Sequence, residues 1–310
     1  MELIRGLASL EPRHRGCVAS IGNFDGVHLG HQAVLRELAT TARSLGLPAA
    51  VILFEPMPQE YFSPAQPPAR LTSFREKWQL LAAYGVERIL CLRFDRGLAD
   101  RSPDSFIEDI LVRGLGLRHL TVGDDFRFGR DRRGDFALLK AAGAKHGFEV
   151  AEAATLMDAG ERVSSTRVRL LLEQGRLPEA SRLLGRPYSL CGRVMHGDGL
   201  GRKLGFPTAN VALRRRLAPV NGIFVARVKG LADGPRDAAA YVGRRPALGG
   251  VSPRLETHLL DFEGQLYGRR LSIELLERLR EDRHFDSLDA LAEQMRTDVK
   301  SARTWLLAQH

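Results

Sequence analysis

Lysine is nearly missing from this chain: only six of its 46 basic residues are lysine and the other 40 are arginine. Cysteine is sparse too. Cys17, Cys91 and Cys191 lie far apart in no metal or redox spacing, which argues against a zinc ribbon, a C-x-x-C redox site and a disulfide scaffold. Such a set fits a reducing compartment, where a buried thiol acts as a small hydrophobe. No run approaches the ~20 apolar residues that span a bilayer. The segment Met1–Gly16 has neither the apolar stretch nor the small-residue cleavage site of a signal peptide. A cytoplasmic protein with no membrane partner is therefore expected. There is no G-x-x-x-x-G-K-[ST] loop and no protein-kinase catalytic loop, and no repeat or low-complexity tract.

What is present is ordinary for a globular protein. The 310 residues are 44% hydrophobic and 27% charged, and the length suggests two domains. The net charge of +9 admits two readings: phosphate-bearing partners, or the arginine bias of a GC-rich genome. Its distribution is uneven. Residues 1–185 hold 25 basic and 23 acidic side chains, and residues 186–310 hold 21 and 14. In the second half, Arg202 and Lys203 are read as phosphate contacts and the run Arg214–Arg216 as a solvated turn.

The first half alternates short apolar runs with helical patterns. Strands are expected at 16–21, 49–54, 88–92 and 119–123. Helices are expected at 31–44, 73–84 (with Trp78, Leu81 and Ala82 inward), 105–114 and 135–147. That order predicts βαβ units and a parallel sheet covered by helices. From Tyr188 the pattern changes to short alternating strands at 189–196, 222–228, 238–242, 255–260 and 270–276. These predict an antiparallel barrel or sandwich. A last helix, 287–309, shows Leu288, Leu291, Met295, Val299, Ala302 and Leu306 on one face, with Asp286 or Ser287 as its cap. The domain boundary is placed near Gly185-Arg186-Pro187, giving domains 1–185 and 186–310.

Two stretches carry chemistry. The first strand runs into Gly22-Asn23-Phe24-Asp25-Gly26-Val27-His28-Leu29-Gly30-His31. This is a strand-to-helix turn with two imidazoles around a glycine. A helix N-terminus offers free N–H groups to phosphate, and the histidines can donate to oxygens that gain charge. The second stretch, Gly197 to Asn210, is glycine-rich and basic. Its Arg202 and Lys203 suit phosphates, and Thr208 and Asn210 offer oxygens to Mg²⁺. Read alone, it is first of all a plain turn. Ser165 and Thr166 sit at a helix start, where phosphate contact and N-capping can coexist. Glu256 lies in an alternating strand, either as a base or as a surface carboxylate paired with arginine.

The turn G-N-F-D-G-V-H-L-G-H resembles the signature of the prokaryotic bifunctional riboflavin kinase/FMN adenylyltransferase family, within the H-x-G-H nucleotidyltransferases. The resemblance continues in family order through Phe54-Glu55-Pro56-Met57-Pro58, Arg70-Leu71-Thr72 with Glu76-Lys77, Val122 to Gly129, and Ser164-Ser165-Thr166-Arg167-Val168-Arg169. It extends through Gly201 to Asn210, Leu255 to Phe262, Leu266-Tyr267-Gly268 and Leu279 to Phe285. It departs at Met57, where histidine is usual, and at Ala247-Leu248, where Thr-Phe is usual.

The resemblance implies a Rossmann-like α/β nucleotidyltransferase domain followed by an antiparallel β-barrel with a terminal helix. It implies phosphorylation of riboflavin to FMN by ATP and Mg²⁺, then adenylylation of FMN to FAD by a second ATP, releasing pyrophosphate. His28, His31 and Glu256 would be catalytic. ATP would meet Gly22, Asn23, Phe24, Gly30, Asp125, Arg162, Ser165, Thr166 and Arg169 in the first domain. In the second it would meet Gly201, Arg202, Lys203, Thr208 and Asn210, with Thr208 and Asn210 also holding the metal. Flavin would meet Phe54, Pro56, Phe62, Phe126, Phe128 and Arg280. Partners would be small molecules, without nucleic acid, and the protein a monomer or weak homo-oligomer. Competing readings are a different H-x-G-H adenylyltransferase, a member with one decayed module, and an arginine-rich RNA-binding protein. The last would need aromatic strands or zinc knuckles, which this sequence lacks.

Overall fold

A computed structural model describes residues 1–247 and 250–309, so Leu248 and with it the departure read at Ala247-Leu248 lie outside the described residues. The chain forms two compact units, Met1–Pro68 with Phe74–Val163, and Ala69–Ser73 with Ser164–His310.

The first unit is built on a six-stranded parallel sheet. Its strands are β1 (Glu2–Arg5), β2 (Val18–Ile21), β3 (Ala49–Glu55), β4 (Arg88–Arg93), β5 (His119–Gly123) and β6 (Glu149–Ala153), in the order β1-β4-β3-β2-β5-β6. Four of these stand where the apolar runs place them. The edge strands β1 and β6 lie outside the expected set, because each is short, carries two charged residues and is largely not buried. Central β3 is buried on both faces. Ala50, Ile52 and Phe54 join one core, and Ala49, Val51 and Leu53 join the other, as a doubly covered parallel sheet requires.

The helix Leu29–Leu45 starts two residues earlier than its apolar spacing suggests and ends at Gly46 in left-handed backbone. In the helix Phe74–Ala83 the expected inward face is corrected. Leu81 is fully buried and Trp78 partly, but Ala82 is exposed, and Glu76 and Lys77 are buried in its place. Periodicity counts only apolar residues, so it passed over an ammonium with an inward role. The helix read at 105–114 is a turn of α-helix, Pro103–Phe106, continued in π-helical geometry over Ile107–Gly114. Burial pushes the Cys17 thiol up to about 12, consistent with a small hydrophobe in the core.

The second unit contains a closed antiparallel barrel, ordered β10-β13-β12-β11-β14-β9. A two-residue-strand hairpin, β7 (Met157–Asp158) and β8 (Glu161–Arg162), precedes it in the chain, in the first unit. The barrel strands are β9 (Tyr188–Met195), β10 (Ala209–Ala212), β11 (Gly222–Lys229), β12 (Arg236–Ala247), β13 (Gly250–Leu259) and β14 (Arg270–Arg280). Five were read from alternation. Strand β10 is too short to show a period and hides at the end of the glycine-rich stretch. Two helices, Ser165–Glu173 and Leu177–Leu184, also belong to this unit. The terminal helix Leu288–Leu307 lies on the barrel, where Ala302 and Leu306 pack with Val225 and Ala239. Ser287 is its cap, accepting from the Ala290 N–H at 3.1 Å. Leu288 is exposed, so the apolar face begins at Leu291.

The reading of Arg214–Arg216 as a solvated turn is corrected at its centre. Arg214 and Arg216 are exposed, but Arg215 is buried. Its Nη1 donates to the carbonyls of Arg70 and Leu71 at 3.1 and 3.3 Å and to the Tyr188 hydroxyl at 3.1 Å. It thereby ties the segment 69–73 to the barrel. Arg215→Ala removes three charge-assisted bonds from a buried site and should cost about 1–3 kcal/mol. Thermal unfolding of the purified chain checks this, and an unchanged transition would remove the tie.

Candidate active sites

In the first unit the chain runs from β2 to β3 on one side and crosses later to β5 on the other. The strand order therefore reverses between β2 and β5. Open α/β sheets bind ligands outside the strand ends at that point. The turn leaving β2 there is strained. Phe24 and Val27 have φ of 47° and 43° and are buried. For β-branched Val27 this is a true outlier, and such residues cost about 1–3 kcal/mol each. The Gln32 amide holds the turn by donating to the Val27 carbonyl at 2.9 Å.

The turn delivers His28 as the helix N-cap. Its Nδ1 accepts from the His31 backbone N–H at 3.4 Å, which leaves the proton on Nε2 as a donor for a ligand. The two imidazoles stack with centroids 3.7 Å apart and planes at 20°. A Cβ at Gly30 would come within 3.2 Å of the His28 ring, so the middle glycine makes room for this stack. Burial holds His31 well below the usual histidine range, helped by the charges of His28, Lys77 and Arg162. His31 is therefore neutral. Its Nδ1 is buried and has no hydrogen-bond partner among the described residues, a polar atom that a ligand would satisfy. Lys77 was singled out in the sequence only as part of a pattern.

Other predicted residues of this unit fall into groups. Asp125 follows β5 and is exposed. Arg162 reaches Asp124 at 2.8 Å and Asp125 at 3.2 Å. The Thr155 hydroxyl donates to Asp124 at 2.7 Å, and this bond leads in holding its carboxyl below the ordinary value. Phe128 is a core residue tilted against Phe106, and half-buried Phe126 stacks on it at 5.6 Å. Phe62 is 67% exposed. It stands with Tyr61 and Phe94 in edge contacts, and Phe94 in turn meets buried Phe54. Pro56 is exposed beside them, whereas Met57 is fully buried. Where the family pattern has an imidazole, this chain has a packing thioether. Ser165 and Thr166 open the helix Ser165–Glu173 in the second unit, capped by Ser164. Arg169 on that helix donates to the Ala69 carbonyl at 2.7 Å.

In the second unit one cavity of about 250 Å³ gathers Gly201, Thr208, Asn210, Glu256 and Arg280. The register explains the meeting. Asn210 pairs with Glu256 across β10 and β13, and Glu256 pairs with Tyr241 across β13 and β12. Directly opposed residues share a face. A Cβ at Gly201 would lie 2.5 Å from the Phe206 carbonyl oxygen and 3.1 Å from the Thr208 hydroxyl. Only glycine lets the loop close there. Arg202 and Lys203 are exposed and do not line the cavity, and the Arg202 guanidinium donates to the Tyr267 hydroxyl at 3.3 Å.

The cavity also contains residues that sequence reasoning missed. Arg254 pairs with Glu256. Tyr241 donates to Asp282 at 2.9 Å, and burial leads in pushing its phenol up to about 12. Asp298 grips Arg280 through two bonds of 2.9 and 2.8 Å. An alternating strand announces which face a residue takes, but not the partner it meets on another strand or helix. Among the described residues, no three His, Cys, Asp or Glu side chains gather to hold a metal ion, and no helix is long and apolar enough to cross a membrane.

The two units thus hold two separate candidate sites, a histidine pair at a helix N-terminus and a barrel cavity with a carboxylate opposite a glycine-rich loop, as expected of a transferase with two activities. The comparisons agree. The FAD synthetase family model matches residues 10–167, and the riboflavin kinase model matches 184–306. The bifunctional riboflavin kinase/FMN adenylyltransferase of Pseudomonas fluorescens is 49% identical over 305 residues, covering 98% of this chain and 97% of that protein. The protein of the same name from Escherichia coli K12 is 47% identical over 304 residues, covering 98% and 97%. A solved structure described as a macrolide-efflux protein from Streptococcus pneumoniae superposes with a TM-score of 0.83 at 29% identity, covering 98% of this chain and 99% of that one. The chain belongs to the bifunctional riboflavin kinase/FMN adenylyltransferase family. Its activities are those of a riboflavin kinase and an FMN adenylyltransferase, the two steps of FAD biosynthesis.

Two outcomes test these sites. Below about pH 6.5 the unfolded chain protonates His31 while the folded chain does not. The stability present above that pH is then lost on acidification, by up to about 1.4 kcal/mol per pH unit. Unfolding free energies of wild type and His31→Gln at pH 7.5 and 5.5 measure it; the difference should move against wild type at pH 5.5. Gly201→Ala should lower kcat/KM for riboflavin phosphorylation at least ~10-fold, since the added Cβ displaces the Phe206 carbonyl and the Thr208 side chain at the cavity. FMN adenylylation should stay unchanged in parallel assays.

Proposed function

We propose that the first unit's histidine turn performs adenylyl transfer and the barrel cavity performs riboflavin phosphorylation. The functional division is placed at 185/186, a position supported by family models that stop at 167 and resume at 184. The observation that carries the adenylylation reading is the stacked pair with its unpartnered His31 Nδ1. An FMN phosphate oxygen attacks the α-phosphorus of ATP, and pyrophosphate leaves. Phosphate is already nucleophilic at neutral pH, so the histidines need only donate hydrogen bonds to oxygens that gain charge. His28 donates from Nε2, and His31 donates as a neutral imidazole. Gly22, Asn23, Phe24 and Gly30 shape the turn for nucleotide. Asp125 and Arg162 are assigned to the same ATP, and Ser165, Thr166 and Arg169 keep their assignment to nucleotide on the strength of the family motif. Pro56, Phe62 and Phe126 offer flavin their open faces, with Phe54 and Phe128 supporting them from the core.

In the barrel, Glu256 accepts the proton of the terminal ribityl hydroxyl as that oxygen attacks the γ-phosphorus. Thr208 and Asn210 present hard, neutral oxygens beside a glycine loop. A Cβ at Gly197 would overlap the Asn210 amide, so the cradle is open only because that position is glycine. Such donors fit a Mg²⁺ that arrives with nucleotide phosphates rather than one held in a carboxylate cage. When bound, the ion neutralises charge on the β- and γ-oxygens. Gly201 closes the loop, while exposed Arg202 and Lys203 meet the nucleotide from outside. Arg280 is already clamped by Asp298, so it holds the terminal helix at the cavity rim and leaves part of its fork for flavin. The partners are ATP, riboflavin and FMN, and we place the protein in the cytoplasm as a monomer or weak homo-oligomer.

Separate assays of the two products test the assignment. Removing one such donor lowers turnover about 100–1000-fold, so His28→Ala should stop FAD formation while FMN formation continues. Glu256→Gln should do the reverse, sparing adenylylation of supplied FMN. A folded variant in which both reactions fall together would break the division of labour.

A further inference from the structure

Arg254 is two residues before Glu256 on β13, so the two side chains share a face. Its Nε is in ion-pair contact with Glu256 Oε1, and its Nη2 lies 3.5 Å from Asp198 in the glycine-rich loop. The side chains of Arg254 and Glu256 are 29% and 19% exposed, and both line the 250 Å³ cavity. The residue opposite Arg254 on β12 is Gly243. A Cβ there would overlap the Tyr241 hydroxyl, so the glycine leaves the space opposite Arg254 to the Tyr241 phenol of the same strand, whose charge environment includes Arg254.

We propose that Arg254 is the positioning residue of the phosphorylation site: one guanidinium aims the Glu256 carboxylate and tethers the glycine-rich loop through Asp198. Base and nucleotide loop are thereby set by a single group. This rests on the reading of Glu256 as the base. In the transfer the ribityl oxygen forms a bond to the γ-phosphorus, and its proton passes to Glu256. The bond from the γ-phosphorus to the bridging oxygen breaks, and ADP leaves with that electron pair. A loose phosphoryl-transfer transition state asks for placement more than for basicity. A carboxylate held by arginine keeps its aim even though the pairing weakens it as a base. The planar fork matters because it presents donors to two carboxylates in one fixed geometry, whereas an ammonium on a flexible stem is a point charge without set directions.

The experiment measures kcat and both KM values for riboflavin phosphorylation in Arg254→Gln, Arg254→Lys and Asp198→Asn, with FMN adenylylation as the folding control. Arg254→Gln should lower kcat about 10–100-fold, the scale of a small misplacement of a reacting group, with the KM for riboflavin nearly unchanged. Arg254→Lys should recover most of kcat but keep a raised KM for ATP. Asp198→Asn should raise the KM for ATP alone. The proposal is overturned if Arg254→Gln keeps its kcat, if its riboflavin KM rises instead, or if lysine is no better than glutamine. Glu256→Gln separates the two failures. If it is inactive while Arg254→Gln is normal, the base reading stands and the positioning role falls. If Glu256→Gln stays active, both fall.

Discussion

Everything in the first unit depends on one turn. The chain leaves β2 where the strand order reverses and must become a helix within a few residues. It does so by burying Phe24 and Val27 in left-handed backbone. That conformation is uphill locally, and the surrounding core holds it in place. Phe24 and Val27 pack with Leu35, Leu38 and Leu53 on one face of the sheet. The reward for the strain is orientation. His28 becomes the cap of the helix, its ring folds back over Gly30, and His31 lies beneath it in a space where it stays neutral. Two stacked imidazoles cannot both be charged at low cost, which agrees with a neutral His31.

The barrel solves a different problem with pairing instead of strain. Closure forces residues on neighbouring strands into fixed levels. Asn210, Glu256 and Tyr241 stand at one such level, on strands that are far apart in the chain. The terminal helix completes the cavity by bringing Asp298 to Arg280. A carboxylate buried on that helix is inexplicable from periodicity and ordinary once its partner is seen.

Much of this was legible in the sequence. Apolar runs located the central strands, because a doubly covered parallel sheet leaves no polar face. The His-x-Gly-His turn and the Thr208-Ala209-Asn210 segment were readable because their chemistry is compressed into adjacent residues. The rest depends on pairings across long stretches of chain. Lys77 is buried beside the histidine site, and Arg215 is buried on backbone carbonyls, although both look like surface charge. Arg254 meets Glu256 at i, i+2 on one strand, but only the fold brings Asp198 of the glycine-rich loop against it. Strand β10 escapes a periodicity reading because its four residues, with Ala209 and Val211 inward, are too few to show a period.

The shortness of β10 has a consequence for motion. It joins β13 only over Ala209–Val211 and β9 only over Asn210–Ala212, while the other barrel strands pair along longer stretches. It is therefore the seam along which the barrel opens at least cost, and local opening follows the least supported pairing. The amide hydrogens of this strand should exchange with solvent before those of β11 and β12. Asn210 lies in that seam and lines the barrel cavity, so the cavity wall it forms is the part of the barrel that gives first.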